Sequence, residues 1–520
     1  MGFMTKLSNL AQQVLNTLEP DLEKQEKWLE HNELYSCSES AEMLSFREVI
    51  EQAKEEGQKI FVAGDYDCDG IMATTIMVDG LRKFGCTVGF YIPDRIKEGY
   101  GLNTATIEQA YQKGYTILVT VDNGVKAQDA LDLAASYGMT TIVTDHHTIE
   151  HEIDCDILIH PNYLEEQFST LCGAGIAFEC VRSLGTDNSY HLLLAAIASV
   201  GDVMPVIKQT RRIIQQGIQL LNEKREMHIS PFIKDSKVNE VTLSFQVVPK
   251  INAVGRLCNM ANVNNVVRYL LSEDPVEVSK LHKQIEEIND RRKKISDQMC
   301  NYAMNMVHPE DKVILIQSPG FHEGIIGLVA GKICATYDKP VIVGAQNVDG
   351  YKLSMRSPKG FHCMDFLGDF EEFSAIGGHE QAAGFSIDLE AFGRFVQYVK
   401  TKSANYSWKK QEESSILIDP SMICIEDIES LDALRPFGPA FKLPMFKMEH
   451  PKIKTYYDFQ NHKHRRYTLD SGLTCMYFNQ PLLNVKLSVN KIQAFEGQVQ
   501  ISEYQGRRQP NFMIEKINYE

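Results

Sequence analysis

Short apolar runs alternate with stretches of helical periodicity through the first third of the chain. Runs at 59–63, 88–92, 116–121, 140–144 and 157–160 read as strands, while apolar residues three and four apart predict helices over 71–83, 104–113 and 126–137. Strands this continuously apolar, separated by helices, predict a parallel sheet covered on both faces. Ahead of them, Leu7, Leu10, Val14 and Leu18 fall at helical spacing, with Trp28 and Leu29 in a charged segment beyond, so residues 1–45 are expected to form a helical cap.

The pattern changes after residue 173. A helical region runs over 173–222, and inside it an apolar helix stops at Asp202, just before Pro205. A charged amphipathic stretch over 273–307, with Pro275 in its first turn, predicts a long connecting helix. A smaller α/β unit follows, with strands at 312–316, 341–344 and 351–356 and a helix at 325–337. The polar stretch 400–415 reads as a linker. Beyond it, alternating strands such as 486–494 and 498–503, with Tyr456, Tyr457, Phe459, Tyr467, Tyr477 and Phe478 among basic residues, predict a small β-barrel carrying aromatic stacking platforms.

Composition narrows the class. The chain of 520 residues, 43% hydrophobic, is long enough for about three domains. It has no apolar run able to span a bilayer and no signal-peptide core near Met1, so a cytoplasmic protein with no membrane partner is expected. Its 12 cysteines form no C-x-x-C pair, which argues against a zinc knuckle and a disulfide framework. A net charge of −16 does not favour a polyanion partner, but local clusters such as Arg291-Arg-Lys-Lys294 and Lys463-His-Arg-Arg466 permit one.

The chemistry gathers at strand ends. The strand at 59–63 runs into Gly64-Asp-Tyr-Asp-Cys-Asp-Gly70, so Asp65, Asp67 and Asp69 repel one another unless a cation sits among them. An EF-hand is excluded, because its twelfth position, counted from Asp65, is Ile76 rather than a bidentate Glu. An aspartate-nucleophile phosphatase and a plain solvated loop remain open at this point. The third and fourth strands end at Asp122 and at Asp145-His-His147, and parallel strands bring such ends together. Carboxylates with imidazoles suit a divalent metal. Small residues around His379, in Gly377-Gly-His379, allow close backbone approach to an anion.

Taken together, the motifs resemble those of RecJ-type single-strand-specific DNA exonucleases of the DHH phosphoesterase superfamily. They are Gly64-Asp-Tyr-Asp-Cys-Asp-Gly70, the run from Pro93 to Asn103, Val121-Asp-Asn-Gly124, Thr144-Asp-His-His147, Leu171-Cys-Gly-Ala-Gly-Ile-Ala-Phe178 and Gly201-Asp-Val-Met-Pro205. Ile251-Asn-Ala-Val-Gly-Arg256, His322-Glu-Gly-Ile-Ile-Gly327, Ser354-Met-Arg-Ser357, Gly377-Gly-His379 and Leu434-Arg-Pro-Phe-Gly438 continue them in the family's order. Three departures stand out: Ala63 where related pyrophosphatases carry a histidine, Pro439-Ala-Phe-Lys-Leu-Pro444 after the Phe-Gly pair, and the segment before Ser354, which lacks the family's run of small residues.

The resemblance implies an α/β multidomain chain. Its parts are a parallel-sheet DHH domain over 46–225, a helical connector over 226–310, a DHHA1 domain over 311–402 and an OB-like barrel over 415–520. It implies two divalent cations, Mn2+ or Mg2+, held by Asp67, Asp69, Asp122, His146 and Asp202, with Asp122 bridging and Asp65 contacting metal directly or through water. Asp122, His146 and His147 would form the catalytic set, with His147 on phosphate and Asp145 orienting it. Arg95, Arg256, Arg356 and His379 would bind phosphates. The implied activity is 5′-to-3′ hydrolysis of single-stranded DNA to nucleoside 5′-monophosphates in repair and recombination, with a single-stranded-DNA-binding protein and a RecQ-type helicase as family partners. The competing readings are a DHH phosphodiesterase of short oligonucleotides or cyclic dinucleotides, and a non-catalytic replication scaffold.

Overall fold

The computed structural model describes residues 7–30, 33–94, 96, 98, 101–348, 350–411, 414–460, 464–478, 489–504 and 506–520. It divides into two units, Met1–Ile285 with Ser414–Glu520, and Glu286–Glu413.

In the first unit, β1 (Lys59–Ala63), β2 (Thr87–Tyr91), β3 (Ile117–Val121), β4 (Thr140–Thr144) and β5 (Ile157–Ile159) form a wholly parallel sheet in the order β2-β1-β3-β4-β5. The chain leaves β1 toward one side for β2 and comes back on the other side at β3. Such a reversal opens a crevice beyond the carboxyl ends of β1 and β3, where α/β sheets bind ligands. One face is packed by Phe61, Leu118 and Val143 from the strands against Ile107, Ala110, Leu131 and Ala134 from the helices Thr104–Gln112 and Gln128–Ser136. The helix Cys68–Phe84 starts directly from the end of β1 and is buried along almost its whole length. Gly80 permits this, since a Cβ there would lie 2.2 Å from Val181 in the helix Gly173–Ser183.

The 173–222 region contains the helices Gly173–Ser183, Ser189–Gly201 and Lys208–Glu223. The C-terminal part of the same unit is a seven-stranded mixed sheet. It comprises β11 (Ser415–Leu417), β12 (Met445–Glu449), β13 (Ile453–Phe459), β14 (His464–Leu469), β15 (Thr474–Tyr477), β16 (Ile492–Tyr504) and β17 (Arg507–Tyr519), ordered β11-β12-β16-β17-β15-β14-β13. The strands expected at 486–494 and 498–503 are one continuous β16 from Ile492 onward, while 486–488 lie outside the described residues. The register shifts between Glu496 and Gly497, and a Cβ on Gly497 would sit 1.9 Å from the Met513 carbonyl oxygen, so a β-bulge absorbs the break that the sequence pattern suggested.

The amphipathic face at Leu10, Val14 and Leu15 exists in the helix Asn9–Leu18, and its partner is the far end of the chain. These residues share one core with Ile428, Leu431, Phe446, Phe495 and Phe512. Arg211, 5% exposed, pins this junction. Its guanidinium lies over the rings of Trp28 (4.8 Å) and Phe441 (4.4 Å) and donates to the carbonyls of Pro436 (2.8 Å) and Leu434 (2.9 Å). Burial pushes its pKa down to about 10, which still leaves it charged at neutral pH.

In the second unit, β6 (Ile314–Ser318), β7 (Val341–Gln346), β8 (Gly350–Arg356), β9 (Ala375–His379) and β10 (Ala382–Asp388) are ordered β6-β7-β8-β10-β9, parallel only between β6 and β7. Phe361, Phe366, Phe385 and Phe395 fill its core. The connecting helix spans Pro275–Met304. The segment expected to be linker from 400 is still helical to Asn405, because Phe392, Phe395 and Val399 bury one face of Leu389–Asn405.

Candidate metal centre

The loop after β1 is held from three sides. Asp67 caps the helix Cys68–Phe84, its Oδ1 accepting from the N–H groups of Asp69 (2.9 Å) and Gly70 (3.1 Å). Gly70 is required by space, since a Cβ would lie 2.5 Å from the Asp65 carbonyl oxygen. The helix Val248–Arg256 presses on the loop from outside: Asn252 Oδ1 accepts from Cys68 N–H at 2.7 Å, and a Cβ on Gly255 would meet the Tyr66 carbonyl oxygen at 2.2 Å. Cys68 itself is buried and its thiol is pushed well up by burial, so it is an inert packing group.

Asp69 is anchored by a partner that sequence spacing does not reveal. Its Oδ2 accepts from Gly173 N–H (2.7 Å) and its Oδ1 from Ala174 N–H (2.8 Å). These are the first two residues of Gly173–Ser183, so a carboxylate sits on the positive end of a helix dipole. Gly173 also leaves room for Asp122, whose Cβ would be 2.5 Å from a Cβ placed there.

Asp122 ends β3 with φ of 60°, a left-handed backbone that aspartate tolerates. Its N–H donates to the Thr144 carbonyl at the end of β4 (3.0 Å), and the neighbouring Asn123 amide donates to the Ala63 (3.1 Å) and Val121 (2.9 Å) carbonyls. The ends of β1, β3 and β4 are thus stitched together, bringing Asp65, Asp67, Asp69, Asp122, Asp145, His146 and His147 to one place. Asp202, at the end of the helix Ser189–Gly201, joins them.

His146 Nε2 lies 3.1 Å from Asp122 Oδ1, 3.5 Å from Asp202 Oδ2 and 3.6 Å from Asp69 Oδ2. Yet neither His146 Nε2 nor Asp122 Oδ1, both buried, has a hydrogen-bond partner among the described residues. Lone-pair atoms that converge without bonding each other are arranged to bind something between them. Three sets have donor atoms within 4.8 Å of one another: Asp65, Asp67 and Asp122; Asp69, His146 and Asp202; and Asp122, His146 and His147. Asp122 and His146 each belong to two of the three.

The electrostatics agree. At an effective dielectric constant of about 20, two carboxylates 4.8 Å apart repel by roughly 3.5 kcal/mol, and three mutually adjacent ones approach the whole stability of a domain. Burial, then the neighbouring Asp69, raises the pKa of Asp67. The same two causes, joined by Asp67, Asp65 and Asp202, raise Asp122 well above the carboxylate range. Asp202 is pushed up to about 8 by burial and by Asp69 and Asp67. Burial keeps His146 below its ordinary value, hence neutral and able to ligate.

Asp145 differs in kind. Its Oδ1 accepts from the N–H groups of His146 (2.7 Å) and His147 (3.1 Å) and faces His147 Nδ1 at 2.8 Å, while Oδ2 accepts from Val125 N–H (3.0 Å). Burial works against its charge, but these bonds hold its pKa below the usual value. Burial likewise opposes charge on His147, and the Asp145 carboxylate overrides it, raising the imidazole to about 9. The donor spacing alone would allow His147 to ligate; a histidine held protonated by its own carboxylate is better suited to binding an anion.

Besides His147, the four other groups expected on phosphate separate. Arg95 lies outside the described residues. Arg256 closes the helix whose Asn252 and Gly255 touch the aspartate loop. Arg356 and His379 belong to the second unit, where the register Arg356↔Ala382↔His379 puts them in one row on one sheet face, roughly 10 Å apart by strand spacing. Arg356 Nη1 donates to Ser354 Oγ (2.9 Å) and the Met355 carbonyl (2.7 Å), and Gly327 keeps the space beside the guanidinium clear, since a Cβ there would lie 3.1 Å from Arg356 Nη2. Gly173, Ala174, Asn123 and Asn252 are the supports that motif reading leaves without a role; all act through contacts distant in sequence.

Three family models match in succession: the DHH family N-terminal domain at residues 59–200, the DHHA1 domain at 310–405 and the RecJ OB domain at 416–516. The chain is 30% identical over 93% of its length to the single-stranded-DNA-specific exonuclease RecJ of Bacillus subtilis, spanning 64% of that protein. It is 28% identical to the Haemophilus influenzae RecJ, covering 98% of this chain and 94% of that one. Among solved structures, RecJ of Thermus thermophilus in complex with Mn2+ superposes with a TM-score of 0.82 at 23% identity, over 95% of this chain and 73% of that one, a likeness of fold. An exonuclease RecJ bound to manganese gives a TM-score of 0.62 at 28% identity, over 71% and 96%. With a switch-point carboxylate cluster, and with DHH, DHHA1 and RecJ OB domains following one another in this order, the chain belongs to the RecJ family of DHH-domain proteins.

Proposed function

We propose that the protein is a divalent-metal-dependent exonuclease that degrades single-stranded DNA from its 5′ end to nucleoside 5′-monophosphates. The observation that carries this is the pair of buried donor atoms, His146 Nε2 and Asp122 Oδ1, converging 3.1 Å apart without a hydrogen bond, within a crevice that gathers five aspartates. The donor set of carboxylate oxygens and one neutral imidazole fits Mn2+ or Mg2+, the ions held by the related structures. Asp65, Asp67 and Asp122 would hold one cation and Asp69, His146 and Asp202 a second, with Asp122 within reach of both. Bound there, such cations supply Lewis-acid stabilisation of the phosphoryl group and acidify a water.

The chain's own groups do the rest. Gly173 and Ala174 N–H groups fix Asp69, so its oxygens need no reorganisation as charge develops. His147, charged at neutral pH because of Asp145, offers a cation and donor to a non-bridging phosphate oxygen. Arg256, and on the second unit Arg356 with His379, would bind flanking phosphates, Arg356 through the planar fork that suits bidentate contact. The RecJ OB domain favours a polymeric strand over a dinucleotide; exposed Tyr456 and Tyr457 on β13 are suited to stack on bases. A single-stranded-DNA-binding protein and a RecQ-type helicase are the delivering partners we propose from the family resemblance, with the cytoplasm as the working compartment. No helix among the described residues is long and apolar enough to cross a membrane.

The test is a time course with Mn2+ on single- and double-stranded DNA labelled separately at each end. Mononucleotide should appear first from the 5′-labelled single strand and stop on adding chelator. Release from the 3′ label first, equal attack on duplex, or full activity in metal-free buffer would overturn the assignment.

A further inference from the structure

Phe245 is 76% exposed, an unusual place for a phenylalanine with no packing duty. It stands in the middle of Leu243–Val247, a π-helical turn of the kind that recurs at functional sites, because the extra residue per turn re-aims a side chain. The turn faces a groove of about 740 Å³ within the first unit, lined also by Val203, Phe437, Lys442 and Gln498. Two features join this groove to the metal centre. Its wall includes Ser199, Val200, Val203 and Met204, the residues on either side of Asp202. The turn also continues without a break into the helix Val248–Arg256, whose Asn252 and Gly255 contact the aspartate loop.

The groove is built to meet something flat with polar edges. Val203 is 66% exposed and held at φ of 57°, a conformation that costs a β-branched residue of order 1–3 kcal/mol and sets an apolar side chain at the groove. In the same lining, Gln498 Nε2 donates to the Pro444 carbonyl (3.2 Å), while its buried Oε1 has no partner among the described residues. Aromatic and aliphatic surface beside an unsatisfied amide oxygen matches an unpaired nucleobase, which offers a π-face and donor edges.

We propose that Phe245 is a base-stacking residue, seating an unpaired nucleobase of the strand in the groove next to Asp202 and thereby fixing which phosphodiester lies over the metal centre. The assignment rests on the proposed nuclease function and adds to it a residue that sets register along the strand. A hydrophobic patch meant for a protein partner is the other possible use of the same surface, and the experiment separates the two.

The full chain is compared with its Phe245→Ala and Phe245→Trp variants. Binding of a single-stranded oligonucleotide is measured in chelator, with 2-aminopurine moved along it one position at a time. KM and kcat are measured in Mn2+ on strands carrying an abasic site at successive positions. Phe245→Ala should weaken binding and raise KM roughly 5- to 150-fold, the range of one lost base–aromatic stack, and Phe245→Trp should restore both to within about threefold. One or two positions should show 2-aminopurine quenching in the parent and not in Phe245→Ala, and an abasic site there should slow the parent but not the variant. Because the side chain is exposed, the melting temperature should not move. If the parent binds and cleaves and Phe245→Ala matches it in Kd, KM and abasic profile, this assignment alone falls. If the parent neither binds nor cleaves the strand, it falls together with the proposed function.

Discussion

Adding one methyl group at Gly173 should disable the metal centre while leaving the chain folded. A Cβ there would lie 2.5 Å from Asp122 Cβ, 2.8 Å from its Oδ1 and 2.9 Å from its Cα, whereas ordinary contact begins near 3.4 Å. The backbone of Asp122 is tied to β4, so relief requires the helix N-terminus and Asp122 to part by roughly 1 Å, a misplacement that typically costs about 100-fold in rate. Moving the helix also draws the Gly173 and Ala174 N–H groups off Asp69. Over-packing of this sort costs about 1–3 kcal/mol, and the better helix propensity of alanine returns up to about 1. The net is at most a few degrees in melting temperature for a chain of this size. Gly175→Ala, whose Cβ would meet only the Leu171 side chain, at 3.0 Å from Cδ2 and 3.3 Å from Cβ, and no group of the metal centre, is the matched control. The assay is Mn2+ titration by calorimetry alongside hydrolysis of a 5′-labelled single strand. Parental Mn2+ affinity and turnover in Gly173→Ala would refute the idea that Asp69 and Asp122 are set by the approach of that helix.

Other outcomes follow from the same geometry. Asp122→Asn keeps a side chain that tolerates φ of 60° but removes the charge; hydrolysis should fall at least 100-fold while the metal-free protein melts no lower than the parent, and a lower metal-free melting temperature would contradict the repulsion argument. Asp202 titrates near the ordinary carboxylate value when unfolded and near 8 when folded, so across that window the folded chain keeps a proton the unfolded chain has lost. Its share of metal-free stability is therefore full at acid pH and lost as pH rises through about 8, and denaturant melts of Asp202→Asn should lack this part of the slope. Asp145→Asn should slow hydrolysis about 10- to 100-fold by releasing His147; an unchanged rate would remove the orienting role. Arg211→Met should leave the Leu434 and Pro436 carbonyls without their donor and cost roughly 2–4 kcal/mol, read by thermal unfolding.

What could be read from the chain alone was whatever is local. β1, β3 and β4 announce themselves as apolar runs, and Asp67, Asp122 and His146 stand at or just beyond their ends, so strand pairing delivers them together. Asp69 was legible as a candidate ligand, but not the helix end that holds it, because Gly173 is 104 positions away and a glycine gives no hint of its partner. The face of Leu10 and Val14 was visible, its destination in the C-terminal core was not, since an amphipathic helix states that it packs and not against what. Phe245 lies in a stretch whose periodicity is broken by the π turn, so its exposure could not be foreseen.

The joint core of the helix Asn9–Leu18 and the C-terminal sheet has a bearing on how the chain is made. During synthesis the helix Asn9–Leu18 leaves the ribosome with its apolar stripe uncovered, and the strands that complete its core, from Phe446 to Ile517, follow roughly 430–500 residues behind, a wait of roughly 20–100 s at ordinary elongation rates. The parallel sheet can form in that interval from its own neighbours. The helix Asn9–Leu18 can meet only Val206 and Ile214 of its core by then, and the rest of its stripe waits for partners made last among those it packs against.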